Sequence, residues 1–286
     1  MTKPARLLVI AGSDSSGGAG IQADIKTATA LGAYAMTAVT SVTVQNTQGV
    51  HAIHSIPANI VRAQIVSALE DIGADAIKIG MLGSADVIQA VAQTLIAHAQ
   101  GIPLVVDPVM EAKGGASLLE DEAANTLMAS LFPLATLVTP NAPEATRLTG
   151  LPIATVADCA QAGQALLATG AQSVLVKGGH LEGETVVDVL VSRTGAQRLT
   201  APRLNTTSTH GTGCTLATAI AVGLAQGVPL IDAIRRARSY VQEAIRTAPG
   251  FGHGHGPLNH MHPLSKLTAD PGPVAPQPGL RWGRPR

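Results

Sequence analysis

Several short segments carry residue types that could bind and transfer an anionic group. The run Gly12-Ser13-Asp14-Ser15-Ser16-Gly17-Gly18-Ala19-Gly20 holds four glycines, which let a backbone approach a ligand closely. It matches neither Gly-x-x-x-x-Gly-Lys-Ser/Thr nor Gly-x-Gly-x-x-Gly, so a tight strand-to-helix turn is an equally good reading. A second run, Thr209-His210-Gly211-Thr212-Gly213-Cys214, precedes an apolar stretch of small residues. Backbone N–H groups at such a helix start form a nest for phosphate or for developing negative charge. Cys214 would feel the positive end of the helix dipole, which favours a thiolate. The plainer reading is a glycine turn before a buried helix, with Cys214 a small hydrophobe.

Two carboxylates stand in similar contexts. Asp107 ends an apolar run and precedes Pro108, and Glu144 closes Thr139-Pro140-Asn141-Ala142-Pro143-Glu144. A hard cation such as Mg²⁺ wants oxygen ligands and keeps waters and substrate phosphates, so one or two carboxylates suffice. Taken singly, Asp107 also reads as a cap and Glu144 as a first-turn helix acid. Lys177, in Val176-Lys177-Gly178-Gly179-His180, could meet a phosphate or simply be solvated. The run Gly252-His253-Gly254-His255-Gly256-Pro257-Leu258-Asn259-His260-Met261-His262 invites a transition-metal reading. Its glycines argue against a rigid metal scaffold, and His260 reads better as a hydrogen-bonding residue.

The composition narrows the class. Of 286 residues, 46% are hydrophobic, 13% charged and 2% aromatic, so the core must be aliphatic and stacking platforms for single-stranded nucleic acid are excluded. Lys+Arg and Asp+Glu both number 19, which leaves no basic field to attract nucleic acid or an anionic membrane. Cys159 and Cys214 lie far apart, and a reducing cytoplasm fits them better than a disulfide framework. The run Leu7–Ala11 is too short for a signal segment. The longest apolar stretch, from Leu216 to Ile231, contains Gln226, Gly227 and Pro229; it reads as a buried helix with its end, since a membrane span needs about 20 apolar residues. A compact enzyme acting on small molecules is the class that remains.

Periodicity supplies the elements that must position these residues. Strands are predicted over 7–11, 36–44, 76–80, 104–107, 136–139, 173–177 and 186–191. Helices are predicted over 19–31, 60–72, 85–99, 122–131, 143–149, 156–168, 213–226 and 231–247. Several strands are continuous apolar runs, as when both sheet faces are covered, and the alternation predicts a mainly parallel sheet in an α/β fold. In such sheets ligands bind beyond the carboxyl ends of the strands, and the polar and glycine-rich segments recur there. The chain divides into a domain over 1–262 and a Pro/Gly-rich tail over 263–286, read as disordered; five prolines fall between Ala269 and Arg286.

Read together, AGSDSSGGAGIQADIKT (11–27), VQNTQGV (44–50), KIGML (78–82), DPVM (107–110), TPNAPEA (139–145), VKGGH (176–180) and THGTGCT (209–215) resemble the hydroxymethylpyrimidine/phosphomethylpyrimidine kinases of thiamine biosynthesis, within the ribokinase-like superfamily. The resemblance runs over roughly residues 7 to 262. It implies a three-layer α/β/α sandwich, a homodimer, ATP with Mg²⁺, and two successive phosphorylations of a pyrimidine alcohol. By that resemblance Gln45 hydrogen-bonds the aminopyrimidine, and Gly12, Ala19, Asp24, Val44, Met81, Val109 and His210 belong to the substrate pocket. Gly211, Thr212 and Gly213 form the anion hole, and Cys214 matches the position of the Asp base of sugar kinases. Asp107 and Glu144 organise Mg²⁺, while Asn141, Lys177 and Glu144 face the nucleotide phosphates. The sequence departs from the family pattern at 111–115, where Glu-Ala-Lys-Gly-Gly stands, a departure that touches the flap. Three rivals remain open: a pyridoxal or pyridoxine kinase, a non-catalytic pyrimidine-binding domain, and a dinucleotide-dependent oxidoreductase, the last weakened by the missing Gly-x-Gly-x-x-Gly.

Overall fold

The computed structural model describes residues 3–111, 115 and 121–264. Most of the expected tail and part of the departing 111–115 segment lie outside them. The elements are β1 (Ala5–Asp14), α1 (Gly20–Ala30), β2 (Ala33–Asn46), β3 (Gly49–Ser55), α2 (Ala58–Asp71), β4 (Ala76–Ile79), α3 (Ala85–His98) and β5 (Leu104–Val106). They continue with α4 (Asp121–Ser130), β6 (Leu137–Val138), α5 (Ala142–Thr149), α6 (Val156–Leu167), β7 (Ser173–Val176), β8 (Thr185–Ser192), β9 (Gly195–Pro202), α7 (Thr212–Ala225) and α8 (Leu230–Arg246).

One nine-stranded sheet runs in the order β3-β2-β1-β4-β5-β6-β7-β8-β9. The strands from β2 to β7 pair in parallel, and β3, β8 and β9 are added antiparallel at the two ends. Strand β1 explains the layering. Its side chains alternate, so Leu8 and Ile10 enter one core with Ile65, Ile88 and Phe132. Leu7 and Val9 enter the other with Leu216, Ile220 and Ala237. A strand apolar on both faces must be covered twice, and the helices divide between the two faces to do so. This is the three-layer α/β/α sandwich expected from the sequence.

All eight expected helices form, and the seven expected strands are present with shifted ends. Two strands were not foreseen. β3 (sequence GVHAIHS) is largely exposed, and β9 (GAQRLTAP) has a single buried residue, Leu199. Both are edges of the sheet, where polar side chains are tolerated and useful; they carry no apolar period for a sequence reading to detect.

Candidate active site

A cavity of about 470 Å³ opens at the carboxyl ends of β1, β4, β5, β6 and β7. It is lined by segments from every glycine-rich run singled out above except the histidine-rich one. Among the described residues no Phe, Tyr or Trp lines it, so a flat ring bound there is held by aliphatic contact and by polar matching at its edge.

At one end stand Gly12, Ala19, Met81, Val109, Thr43 and Gln45. Thr43 and Gln45 share a face of β2, with Thr43 Oγ1 3.2 Å from Gln45 Oε1. This leaves the Gln45 amide a donor and further acceptor capacity for a ligand. Val44 lies between them and therefore points to the opposite face. It is 58% exposed and is not brought to the cavity, contrary to expectation. Asp24 is also not part of the wall. Fully buried one layer behind it, Asp24 accepts from Lys78 Nζ at 2.9 and 3.1 Å and from Thr218 Oγ1 at 2.6 Å. It thereby ties α1, β4 and α7 together. Asp24 keeps Lys78 protonated although burial works the other way.

The loop after β1 is organised by Asp14, which the sequence reading did not single out. Its carboxylate accepts from the Ser16 amide (2.8 Å), the Ser16 hydroxyl (2.8 Å), the Gly18 amide (3.1 Å), the Ala19 amide (2.7 Å) and His210 Nε2 (2.9 Å). Burial alone would raise the Asp14 carboxyl, but these donors outweigh it and hold it down at about 2. His210 lines the cavity, yet its Nε2 is committed to Asp14 and not to the pyrimidine pocket. An acidic residue two positions before Ser and four before Gly is the pattern of a carboxylate closing its own turn, and that signal was available in the sequence.

At the other end of the cavity Gly211, Thr212, Gly213 and Cys214 form the first turn of α7. Gly211 caps it with φ +81°, and an added Cβ would fall 1.8 Å from the Gly18 carbonyl oxygen. Only glycine meets both demands. The helix start does not make Cys214 a thiolate. Burial pushes its thiol up to about 11, Asp24 and Asp107 add to the shift, and Lys78 opposes it. The expectation from the dipole is corrected accordingly: desolvation of the anion outweighs the helix start.

Beside the nest lies a charged group. Asp107 Oδ1 accepts from Lys177 Nζ at 2.8 Å and from Thr139 Oγ1 at 3.0 Å, and Glu144 Oε2 lies 4.0 Å from Lys177 Nζ. Asn141 and Glu144 form a capping box at the start of α5, with Glu144 N to Asn141 Oδ1 at 2.8 Å and Asn141 N to Glu144 Oε2 at 2.7 Å. The bland reading of Glu144 as a first-turn acid is therefore also realised, but the same carboxylate is 8% exposed and faces the cavity. Burial raises its carboxyl, and Lys177 works against that. The loop after β7 is held from outside by Asp188, which accepts from the Gly178 amide (2.8 Å) and from Arg238 Nε (2.8 Å). Arg203 donates to the carbonyls of Gly179, Leu181 and Gly183. Asp188 lies on β8, Arg203 just after the edge strand β9 and Arg238 on α8, and sequence reasoning missed them.

The donor set at Asp107 and Glu144 fits a hard divalent cation in part. Both ligands are oxygens, and an added Cβ at Gly213 would lie 3.4 Å from Asp107 Oδ2 and 3.2 Å from Lys177 Nζ, so the carboxylate faces the nest. Among the described residues no group of three or more His, Cys, Asp or Glu could cage a metal. A cation held there would complete its shell with phosphate oxygens and water. The glycines of the histidine-rich run pack elsewhere, with the amides of His253, Gly254 and His255 on Thr47. His260 is buried and bonded to Thr215 Oγ1 at 3.0 Å, as a structural residue.

A parallel sheet with an anion nest, a buried lysine and two carboxylates at its carboxyl edge defines a small-molecule phosphotransferase of the ribokinase-like class. The family model for phosphomethylpyrimidine kinase matches residues 14–259. The hydroxymethylpyrimidine/phosphomethylpyrimidine kinase of Rhizobium meliloti is 47% identical over 258 residues, covering 89% of this chain and 96% of that one. The thiamine biosynthesis bifunctional protein ThiED of Geobacter sulfurreducens is 50% identical over 255 residues. The match covers 89% of this chain and only 52% of that protein, about half its length. Among solved structures, an ADP complex of Bacillus subtilis pyridoxal kinase superposes with a TM-score of 0.84 at 38% identity, covering 91% of this chain and 98% of that one. The chain belongs to the phosphomethylpyrimidine kinase family and is a kinase.

Proposed function

We propose that this protein transfers the γ-phosphate of ATP to the hydroxymethyl oxygen of 4-amino-5-hydroxymethyl-2-methylpyrimidine, and then a second phosphate to the resulting monophosphate. The observation that carries this reading is a single cavity with the Gln45 amide, whose Nε2 remains available to a ligand, at one end and a glycine-rich helix start, Gly211–Cys214, at the other. An amide offers a donor and an acceptor side by side, as an aminopyrimidine edge requires. The nest's amides face the transferring phosphoryl group and stabilise the charge that develops on it. Asn141, Lys177 and Glu144 flank the nucleotide phosphates. Asp107 and Glu144 would hold Mg²⁺, which would supply neutralisation of phosphate charge.

In the first step the O–H proton leaves, an O–P bond forms and the β–γ bridging bond of ATP breaks to give ADP. In the second step the nucleophile is a phosphate monoester, already anionic near neutral pH because its second pKa is about 6. A proton acceptor is therefore needed mainly in the first step, and Cys214 at the nest takes that role only in the small fraction of molecules where it is a thiolate. The exposed Val42 and Val44 on one face of the β2–β3 hairpin supply a surface for a homodimer. The free thiols of Cys159 and Cys214 fit a cytoplasmic protein, and among the described residues no helix is long and apolar enough to cross a membrane.

A pyridoxal kinase is the second reading, favoured by the fold likeness to the Bacillus subtilis pyridoxal kinase. ATP consumption measured in parallel with the pyrimidine alcohol, its monophosphate and pyridoxal separates the two. Turnover of both pyrimidines well above pyridoxal is expected; the reverse order assigns the protein to pyridoxal, and binding without turnover removes catalysis.

A further inference from the structure

His210 stands where two chains of hydrogen bonds meet. One starts at Gln45, whose backbone N–H donates to Ser15 Oγ at 2.9 Å while Ser15 Oγ donates to the Gln45 carbonyl at 2.9 Å. It passes through the adjacent Asp14 to His210 Nε2 at 2.9 Å. The other starts at Thr47, two residues beyond Gln45. Thr47 O accepts from the His255 amide at 2.8 Å, and Thr47 Oγ1 accepts from the His253 and Gly254 amides at 3.2 and 3.3 Å. It returns through the Gly256 carbonyl, which accepts from the His210 amide at 3.1 Å. The ring thus closes on the residue immediately before the nest. The two loops also interlock sterically: an added Cβ at Gly18 would fall 2.3 Å from His210 Cδ2, and one at Gly211 would fall 1.8 Å from the Gly18 carbonyl oxygen. Asp14 and His210 are both buried, at 2% and 3% exposure. The Asp14 carboxylate already accepts five protein hydrogen bonds, more than its roughly four lone-pair sites. It has no capacity left for substrate or metal.

We infer that Asp14 and His210 are a positioning pair that sets the distance between the amide recognising the pyrimidine and the nest receiving the phosphoryl group. The pair touches neither reacting atom. It fixes the offset between Gln45 and Gly211–Cys214, a geometry in which an error of about 1 Å can cost on the order of 10²-fold in rate. The inference rests on the site assignment proposed above. Because it sets position and moves no proton, it acts alike on both phosphoryl transfers.

The test compares His210→Gln, His210→Phe and Asp14→Asn. Glutamine places an amide N–H near the position of the imidazole Nε2, whereas phenylalanine fills the space without a donor. For His210→Phe and Asp14→Asn, kcat is expected to fall by about 10²-fold on both the alcohol and the monophosphate. Pyrimidine affinity in calorimetry should stay near that of the parent, and His210→Gln should recover most of the rate. Loss confined to the alcohol step would make His210 a proton acceptor, and a proportional loss of pyrimidine affinity would make it a substrate ligand; either overturns the inference, as does full activity in a folded His210→Phe. Hydrogen exchange supplies a readout independent of turnover: the amides of Gly18, Ala19 and His253–His255 should exchange faster in His210→Phe, and unchanged protection in both loops refutes the pair. Failure of the parent protein to phosphorylate either pyrimidine would sink the functional reading, while the exchange measurement would still decide the clasp.

Discussion

Asp107 and Lys177 stand seventy positions apart in the chain, yet Oδ1 and Nζ are 2.8 Å apart at the cavity, with the lysine side chain 13% and the aspartate 2% exposed. The two are delivered by the ends of β5 and β7, on either side of β6, and neither charge is stable there without the other. Lys177→Met is expected to destabilise the protein by roughly 3–5 kcal/mol, because it leaves a buried carboxylate unpaired. Thermal unfolding measures the loss. Added Mg²⁺ should recover part of the loss, since a divalent cation at Asp107 and Glu144 neutralises the carboxylate that Lys177 leaves unpaired.

Cys214 is a thiol at neutral pH, pushed up to about 11 mainly by burial. If it accepts the proton in the first transfer, kcat/KM for the alcohol should climb with pH throughout the neutral range, because the thiolate fraction grows with every unit below 11. The monophosphate step should level off above its substrate's second pKa of about 6. Cys214→Ala should then impair the alcohol step selectively, by up to the 10²–10⁴-fold typical of general base catalysis. Equal losses on the two substrates would reassign Cys214 to shape and local field.

Gln45→Ala should weaken pyrimidine binding and leave the melting temperature nearly unchanged, since the side chain is held only through its 3.2 Å contact with Thr43. One lost hydrogen-bonding group of this kind is worth about 0.5–1.5 kcal/mol, or roughly a threefold to tenfold rise in Kd. Calorimetry with the pyrimidine alcohol reads it directly; an unaltered Kd removes Gln45 from recognition.

Asp14 gives the acid limb of stability a definite sign. Its folded pKa is depressed to about 2 against about 3.9 in the unfolded chain. The contribution is complete above pH 5 or so and fades as pH falls through the folded value. It amounts to roughly 2 kcal/mol. Denaturant titrations from pH 7 to 2 should therefore show the parent and Asp14→Asn converging as the acid range is entered; a constant gap would mean the carboxylate's charge is not what the loop uses.

Gly211→Ala should abolish both transfers and lower the melting temperature, because φ is +81° and the new methyl would meet the Gly18 carbonyl. A variant that folds normally and turns over both substrates would show that the two loops can part.

The sequence made the helices, the inner strands and the glycine-rich loops that line the cavity legible for one reason. Those elements are buried on repeating faces, and their catalytic loops are short and glycine-rich. Val44 was placed in the pocket by the resemblance, whereas the alternation of Val42-Thr43-Val44-Gln45 puts Thr43 and Gln45 on one face and Val44 on the other. Asp24 was placed one layer too far forward, since nothing in the sequence says that Lys78, inside an apolar strand, must find a carboxylate behind the wall. Arg203 went unseen because its partners are backbone carbonyls of a distant loop, and Asp188 and Arg238 because they pair with each other across fifty positions; neither arrangement leaves a local pattern in side-chain types.

The buried junction of Asp24, Lys78 and Thr218 has a consequence for the timing of catalysis. Thr218 lies one turn below Cys214 on α7, and its hydroxyl is fixed 2.6 Å from Asp24 Oδ1, which Lys78 anchors to the middle of the sheet. On the assignment proposed above this helix offers its N–H dipoles to the phosphoryl group, and it is bolted down before any substrate arrives. Its reorganisation energy is spent during folding, and each turnover meets dipoles already aligned.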